Sequence, residues 1–148
     1  RQRQMATGDK TPSVIFAARE EFMIRIVRDL LRGCDIKTVG TNTVVKEAVA
    51  DIRAHAKKWD IFLLDGNFDE AFDTVEEMRN EFGPHIKILL LMSTPTKEDV
   101  VRAHQVGVND FVVLPCSQVD FEGKLYKLMG KEVAPKQQSK TAVVYRKV

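Results

Sequence analysis

Asp65 closes the apolar run Ile61, Phe62, Leu63, Leu64 and is followed by Gly66 and Asn67. A carboxylate at such a position can accept a transferred group or hold a hard cation. It can also stand as an anion satisfied by backbone amides or a nearby arginine. Arg19 is the candidate arginine, in the segment AAREE at 17–21, where Glu20 and Glu21 are further carboxylates. Elsewhere the chemistry thins out. His55, His85 and His104 show no ligand spacing, which argues against a histidine metal site. Cys34 and Cys116 are far apart with no CxxC pair, and no activating base accompanies Cys116, so both read as reduced, inert thiols. No Walker, GxGxxG or nucleophile-elbow motif occurs, and the AAREE segment has no Gly, Ser or Thr to cradle a phosphate. A flavodoxin-like cofactor binder is therefore a weak alternative, which a copurified chromophore would revive.

The elements that must position these residues follow from hydrophobic period. Val14, Ile15, Phe16, Ala17 and Ala18 form a continuous apolar run, the pattern of a strand buried on both faces, β1 at 14–18. Met23, Ile26, Val27, Leu30 and Leu31 recur at helical spacing with Gly33 as a stop, giving α1 at 21–32. A strand β2 at 36–40 precedes a helix α2 whose face is Val45, Ala48, Val49, Ile52 and Ala56, with Thr41 to Thr43 as cap candidates. β3 is the run at 61–64 ending in Asp65. Ala71, Val75, Met78 and Phe82 trace α3 at 71–82, stopped by Gly83 and Pro84. β4 at 86–92 is strongly apolar, and Val100, Ala103, His104 and Gly107 mark α4, with Ser93 to Thr96 able to cap it. β5 at 110–114 is closed by Pro115, and Phe121, Leu125, Leu128 and Met129 mark α5 at 121–129.

Strict alternation with short loops implies right-handed crossovers and one parallel sheet covered by helices on both faces. The expected fold is α/β, a flavodoxin-like doubly wound sheet of order 2-1-3-4-5 with five helices. In such sheets ligands bind beyond the carboxyl ends of the strands, where the order reverses between β1 and β3. That brings Ala18, Arg19 and Glu20 close to Asp65, with Met92 to Thr94 and Leu114 to Cys116 alongside.

Three segments carry a family likeness. IFLLDGNF at 61–68 resembles the phosphoacceptor strand of the receiver domains of two-component response regulators. GVNDFVVLP at 107–115 resembles their β5 approach, with Phe111 at the aromatic-switch position, and MIRIVRDLL at 23–31 is similar to the first helix of chemotaxis-type, CheY-like receivers. The resemblance covers about residues 13 to 130. It implies phosphoryl transfer from the phosphohistidine of a partner kinase to Asp65, assisted by Mg²⁺, with the signal read on the face of α4, β5 and α5.

The chain departs from that pattern where charge is needed. The positions of the family's acidic pair are Ala18 and Arg19, the hydroxyl position falls on Met92 with Ser93 as its neighbour, and the lysine position is Leu114. Mg²⁺ usually takes one or two carboxylates with phosphate oxygens and water, and Asp65 alone beside a fixed cation is a poor set. A degenerate pseudo-receiver is therefore expected, with no catalytic residues and no cofactor. It would act as a phosphorylation-independent protein-interaction module, with Asp65 paired to Arg19. The alternative is a working Mg²⁺-dependent phosphoacceptor, phosphorylated on Asp65 by a histidine kinase, in which Glu20 or Glu21 and Ser93 fill the gaps and Asp65 with Glu20 holds the metal. Phe111 reads either as a switch or as plain core.

Composition sets the outer bounds. A chain of 148 residues, 44% hydrophobic and 30% charged, supports one core. Its 23 basic and 21 acidic residues give a formal charge of +2, which makes no case for nucleic acid or an anionic membrane as partner. No stretch approaches the roughly 18 apolar residues of a membrane span, and no secretory signal is visible, so a cytoplasmic location is expected. Residues 1–12 read as a flexible leader in which Met5 is a candidate start, 13–130 as the receiver-like domain, and 131–148 as a basic linker or tail. Within that tail Thr141 to Tyr145 has β character and could be the first strand of a further domain or an added edge strand.

Overall fold

The computed structural model describes residues 13–55, 59–84 and 86–130. Five parallel strands, β1 (Ser13–Ala17), β2 (Lys37–Asn42), β3 (Ile61–Asp65), β4 (Lys87–Met92) and β5 (Asp110–Val113), form one sheet of order 2-1-3-4-5. They alternate with α1 (Glu21–Gly33), α2 (Val45–Ala54), α3 (Ala71–Phe82), α4 (Lys97–Val106) and α5 (Gln118–Leu128). The leader and tail expectations, together with Ala56 and His85, lie outside the described residues.

The continuous apolar runs are explained by burial on both faces of the sheet. Successive side chains point to opposite sides. Val14, Phe16, Ile61, Leu63, Leu89, Leu91 and Val112 accordingly pack with Met23, Val27 and Leu31 of α1 and Phe121 and Leu125 of α5. Ile15, Ala17, Phe62, Leu64, Ile88, Leu90 and Met92 pack on the other side with Ala48 and Ile52 of α2, Val75 and Met78 of α3, and Ala103 of α4. Asp65 is the last residue of the central strand and pairs with Leu91. It thus sits at the carboxyl end of the sheet with buried strands on either side.

Several sequence expectations shift at element ends. β2 starts and ends later than 36–40, and its Asn42 donates a side-chain hydrogen bond to Asp51 of α2 at 3.0 Å. The strand therefore absorbs two of the residues expected to cap α2, whose N-cap is Val44 with no side-chain cap bond. Gly33 is the last residue of α1 and not its left-handed stop; Asp35 takes the positive φ, 57°. A Cβ at position 33 would collide with Gln118, whose Nε2 donates to the Leu30 carbonyl and to the Cys34 Sγ, both at 2.7 Å. The α4 cap is Thr96, which exchanges hydrogen bonds with Asp99 in a capping box. β5 stops one residue short of Leu114, and the Leu114–Pro115 peptide is cis.

The contact between α1 and α5 makes a testable statement about the thiols. Cys34 is buried, and burial pushes its pKa up to about 11, helped by the charge of Glu122 and opposed by the Gln118 hydrogen bond. Burial also raises Cys116, to a lesser depth in the protein. A raised thiol pKa favours the protonated form in the folded state. The resulting stability is complete below the ordinary thiol range and is lost as pH rises through about 11. Iodoacetamide at pH 7.5 is expected to modify Cys116 well before Cys34, read by peptide mass spectrometry. Equal rates at the two sites would show that burial does not protect Cys34.

Candidate functional site

Asp65 is buried, 1% exposed, yet its carboxylate is fully engaged. Oδ2 accepts the backbone N–H of Arg19 at 3.0 Å, and Oδ1 accepts the backbone N–H of Asn67 at 2.8 Å. The second bond is an Asx turn, in which an aspartate holds the amide two residues on. It is reinforced by the Phe68 amide on the Asp65 carbonyl at 3.3 Å and by the Gly66 amide on the Leu91 carbonyl at 2.7 Å. These bonds fix the β3–α3 loop against β4 and aim both carboxylate oxygens at amides.

The Arg19 guanidinium does something other than the charge-assisted pair expected with Asp65. Nη1 donates to the Asn67 carbonyl at 3.3 Å, and no salt bridge joins it to a carboxylate among the described residues. The backbone turn explains the difference: the main chain of Arg19 occupies the near side of the carboxylate, so the long side chain reaches past it to the next loop. Asn67 was not singled out from sequence, although Asp-x-Asn is a turn signal. It links the site's parts, since its Nδ2 also donates to Ser93 Oγ at 3.4 Å.

Comparisons with known proteins agree with this architecture. No family model matches the chain. The Staphylococcus aureus response regulator protein VraR is 32% identical over 120 residues, covering 79% of this chain and 56% of the relative. The chain therefore spans little more than half the length of the curated relatives it matches. Among solved structures, Vibrio cholerae chemotaxis protein CheY4 superposes with a TM-score of 0.70 at 18% identity, over 80% of this chain and 99% of that one. A Thermotoga maritima response regulator gives 0.69 at 19% identity, over 82% and 100%. The chain has the CheY-like fold of response-regulator receiver domains, and the curated relatives it matches are response regulators.

The four positions read from the sequence as departures, Ala18, Arg19, Met92 and Leu114, lie at or just past the carboxyl ends of β1, β4 and β5. Ala18 is fully buried in the core shared by α1 and α5, and Leu114 joins the same cluster at 4% exposure. Met92 ends β4 inside the opposite core, and its carbonyl accepts the Leu114 amide at 2.7 Å. Ser93 stands at the rim, half-buried. Glu20 and Glu21 are exposed where α1 begins, and Glu20, its N-cap residue, makes no side-chain cap bond. No group of three acidic, histidine or cysteine side chains among the described residues is arranged to hold a metal ion. The residues around Asp65 do not fit Mg²⁺: one carboxylate is tied to two amides, and an alanine and an arginine stand beside it.

The other surface of interest lies on α4 and β5. Phe111 is half-buried and lines a groove of about 500 Å³ with Val100, Val101, His104, Val108 and Asp110. Its burial is less than expected for a core strand because β5 is an edge strand of the sheet. Lys124 of α5 lies 5.5 Å above the Phe111 ring and 3.2 Å from Asp110 Oδ1. That same Oδ1 takes the Phe111 backbone N–H at 2.8 Å, an amide that an added strand would need. Val101 of this groove is exposed, as are Val113 on β5 and Val119 on α5. No helix among the described residues is long and apolar enough to cross a membrane.

Proposed function

We propose that this receiver is a non-enzymatic, phosphorylation-independent protein-interaction module of two-component signalling, which recognises a protein partner through α4, β5 and α5. The carrying observation is the state of Asp65, whose two oxygens are held by the Arg19 and Asn67 amides. Acyl-phosphate formation gathers negative charge that cations must offset, and positioned charges are usually the largest part of such catalysis. Here Ala18, Arg19 and Leu114 supply neither a metal site nor a lysine. The α4–β5 groove and the exposed valines of α4, β5 and α5 offer the apolar area that a protein contact needs. The same reading needs no Mg²⁺, nucleic acid or membrane, and it fits a protein that works in the cytoplasm.

The test is phosphorylation by a small donor. The chain incubated with acetyl phosphate and Mg²⁺ is expected to keep its intact mass, indistinguishable from Asp65→Asn treated alike. Stoichiometric gain of a phosphoryl group, abolished by Asp65→Asn, would overturn the proposal. That outcome would instead favour a working phosphoacceptor served by Glu20 and Ser93 and charged by a histidine kinase.

A further inference from the structure

Arg79, on the last turn of α3, is the most densely engaged side chain outside the Asp65 region. Nε donates to the Gly107 carbonyl at 2.9 Å, Nη1 to the Gly83 and Ile86 carbonyls at 3.0 and 2.7 Å, and Nη2 to Asn109 Oδ1 at 2.5 Å. Asn109 Oδ1 also accepts the Ile88 amide at 2.7 Å. Gly83 is the C-cap of α3 and Gly107 the C-cap of α4, so the guanidinium lies where two helix C-termini converge. Helix C-termini carry partial negative charge, which compensates a cation that no carboxylate pairs with among the described residues. Burial pulls the Arg79 pKa below its ordinary value.

Gly107 is shaped to this contact. Its φ of 99° is left-handed, and a Cβ there would sit 3.2 Å from Arg79 Cγ and Nε. Beyond it, Val108, Asn109, Asp110 and Phe111 form one wall of the α4–β5 groove. The wall is therefore fastened from behind by a residue that lines none of it.

We infer that Arg79 is the positioning residue of the α4–β5 groove, setting the end of α4 and the start of β5 relative to one another. The inference rests on the reading of that face as a docking surface for its functional meaning. Its geometry is tested without any partner. Arg79 gathers four acceptors from two connections, α3–β4 and α4–β5, at the end of the sheet opposite Asp65. Lysine, with a compact ammonium, cannot span the same set.

The experiment is amide hydrogen exchange on the full chain, comparing Arg79→Met, Arg79→Lys and Asn109→Ala with Ile52→Val, a core change in α2 on the far side of this sheet face. In Arg79→Met, exchange at Val106 to Phe111 is expected to rise at least tenfold beyond the rise in β1 and β3. Arg79→Lys should fall between Arg79→Met and the parent, and Ile52→Val should show no such excess. Asn109→Ala removes one acceptor by itself and keeps the test open should Arg79→Met fail to fold. Rates that rise uniformly along the chain, as in Ile52→Val, would reduce Arg79 to general stability and overturn the inference. A local excess in a chain that proves to be a working phosphoacceptor would leave the inference standing and overturn only the proposed function.

Discussion

Asp65→Ala is expected to destabilise the domain by about 2–4 kcal/mol, because it strands two partly buried amides at once. Asp65 is 1% exposed, and its oxygens are the acceptors for Arg19 and Asn67 at 3.0 and 2.8 Å. Hydrogen bonds to a charged acceptor contribute about 1.5–3 kcal/mol each, and an unsatisfied buried donor costs about 1–3 kcal/mol. Some of that loss is recovered where water reaches the Arg19 side, which is exposed. Asp65→Asn keeps one acceptor oxygen but turns an NH₂ toward the second amide, so it should cost about half as much. Urea unfolding followed by the fluorescence of Trp59, the single tryptophan, measures both. A change below about 0.5 kcal/mol for Asp65→Ala would mean that the carboxylate is not a structural acceptor, and that its retention needs another reason.

The fold was legible because each strand of this sheet is apolar through its length and each helix shows a buried stripe, two periods that sequence displays directly. The position of Asp65 followed from the same pattern. What escaped was decided by main-chain hydrogen bonds. The Arg19 side chain and its amide are one residue in the sequence, but only the amide meets Asp65, and which of the two does so depends on the turn at 18–20. Asn67 and Arg79 were passed over for a related reason. Their partners are largely backbone carbonyls and amides, which carry no residue-type signal. Gly33 does close α1, but a glycine at a helix end usually takes the left-handed cap, whereas here it makes room for Gln118.

Charge placement also has a local cause that sequence totals hide. First-turn acids occur in every helix: Glu21, Glu47, Asp73, Glu98 with Asp99, and Asp120. Last turns carry Arg32, Arg53, Arg79, His104 and Lys127. Parallel strands with antiparallel helices put all helix N-termini at one end of the sheet. Dipole compensation therefore makes the Asp65 end acidic and the opposite end basic without any anionic or cationic ligand. Near Asp65, Arg19 is an exception, as Lys46 and Lys97 are in the first turns of α2 and α4. An arginine placed among first-turn acids removes part of the field that would attract a divalent cation.

The exception at Arg19 gives the second large effect, the double variant Ala18→Asp with Arg19→Asp. Ala18 is fully buried among Met23, Val27 and Leu114. A carboxylate introduced there beside Asp65 is an unpaired buried charge next to a like charge, and without metal the variant should lose about 3–5 kcal/mol. If the fold still holds the geometry of a cation site, Mg²⁺ has three carboxylates to bind in the variant. Ligand present at about 100 times its dissociation constant returns about 2.7 kcal/mol. The expected result is urea unfolding that responds to EDTA and millimolar Mg²⁺ in the double variant and to neither in the parent. Arg19→Asp alone, at an exposed position, keeps the comparison available should the double variant not fold in EDTA, and its response to Mg²⁺ should be intermediate. Stabilisation of the parent itself by Mg²⁺, lost in Asp65→Asn, would show that Asp65 can leave its amides for a metal. It would place the control of this domain at the carboxyl end of β3 instead of at the face proposed on α4 and β5.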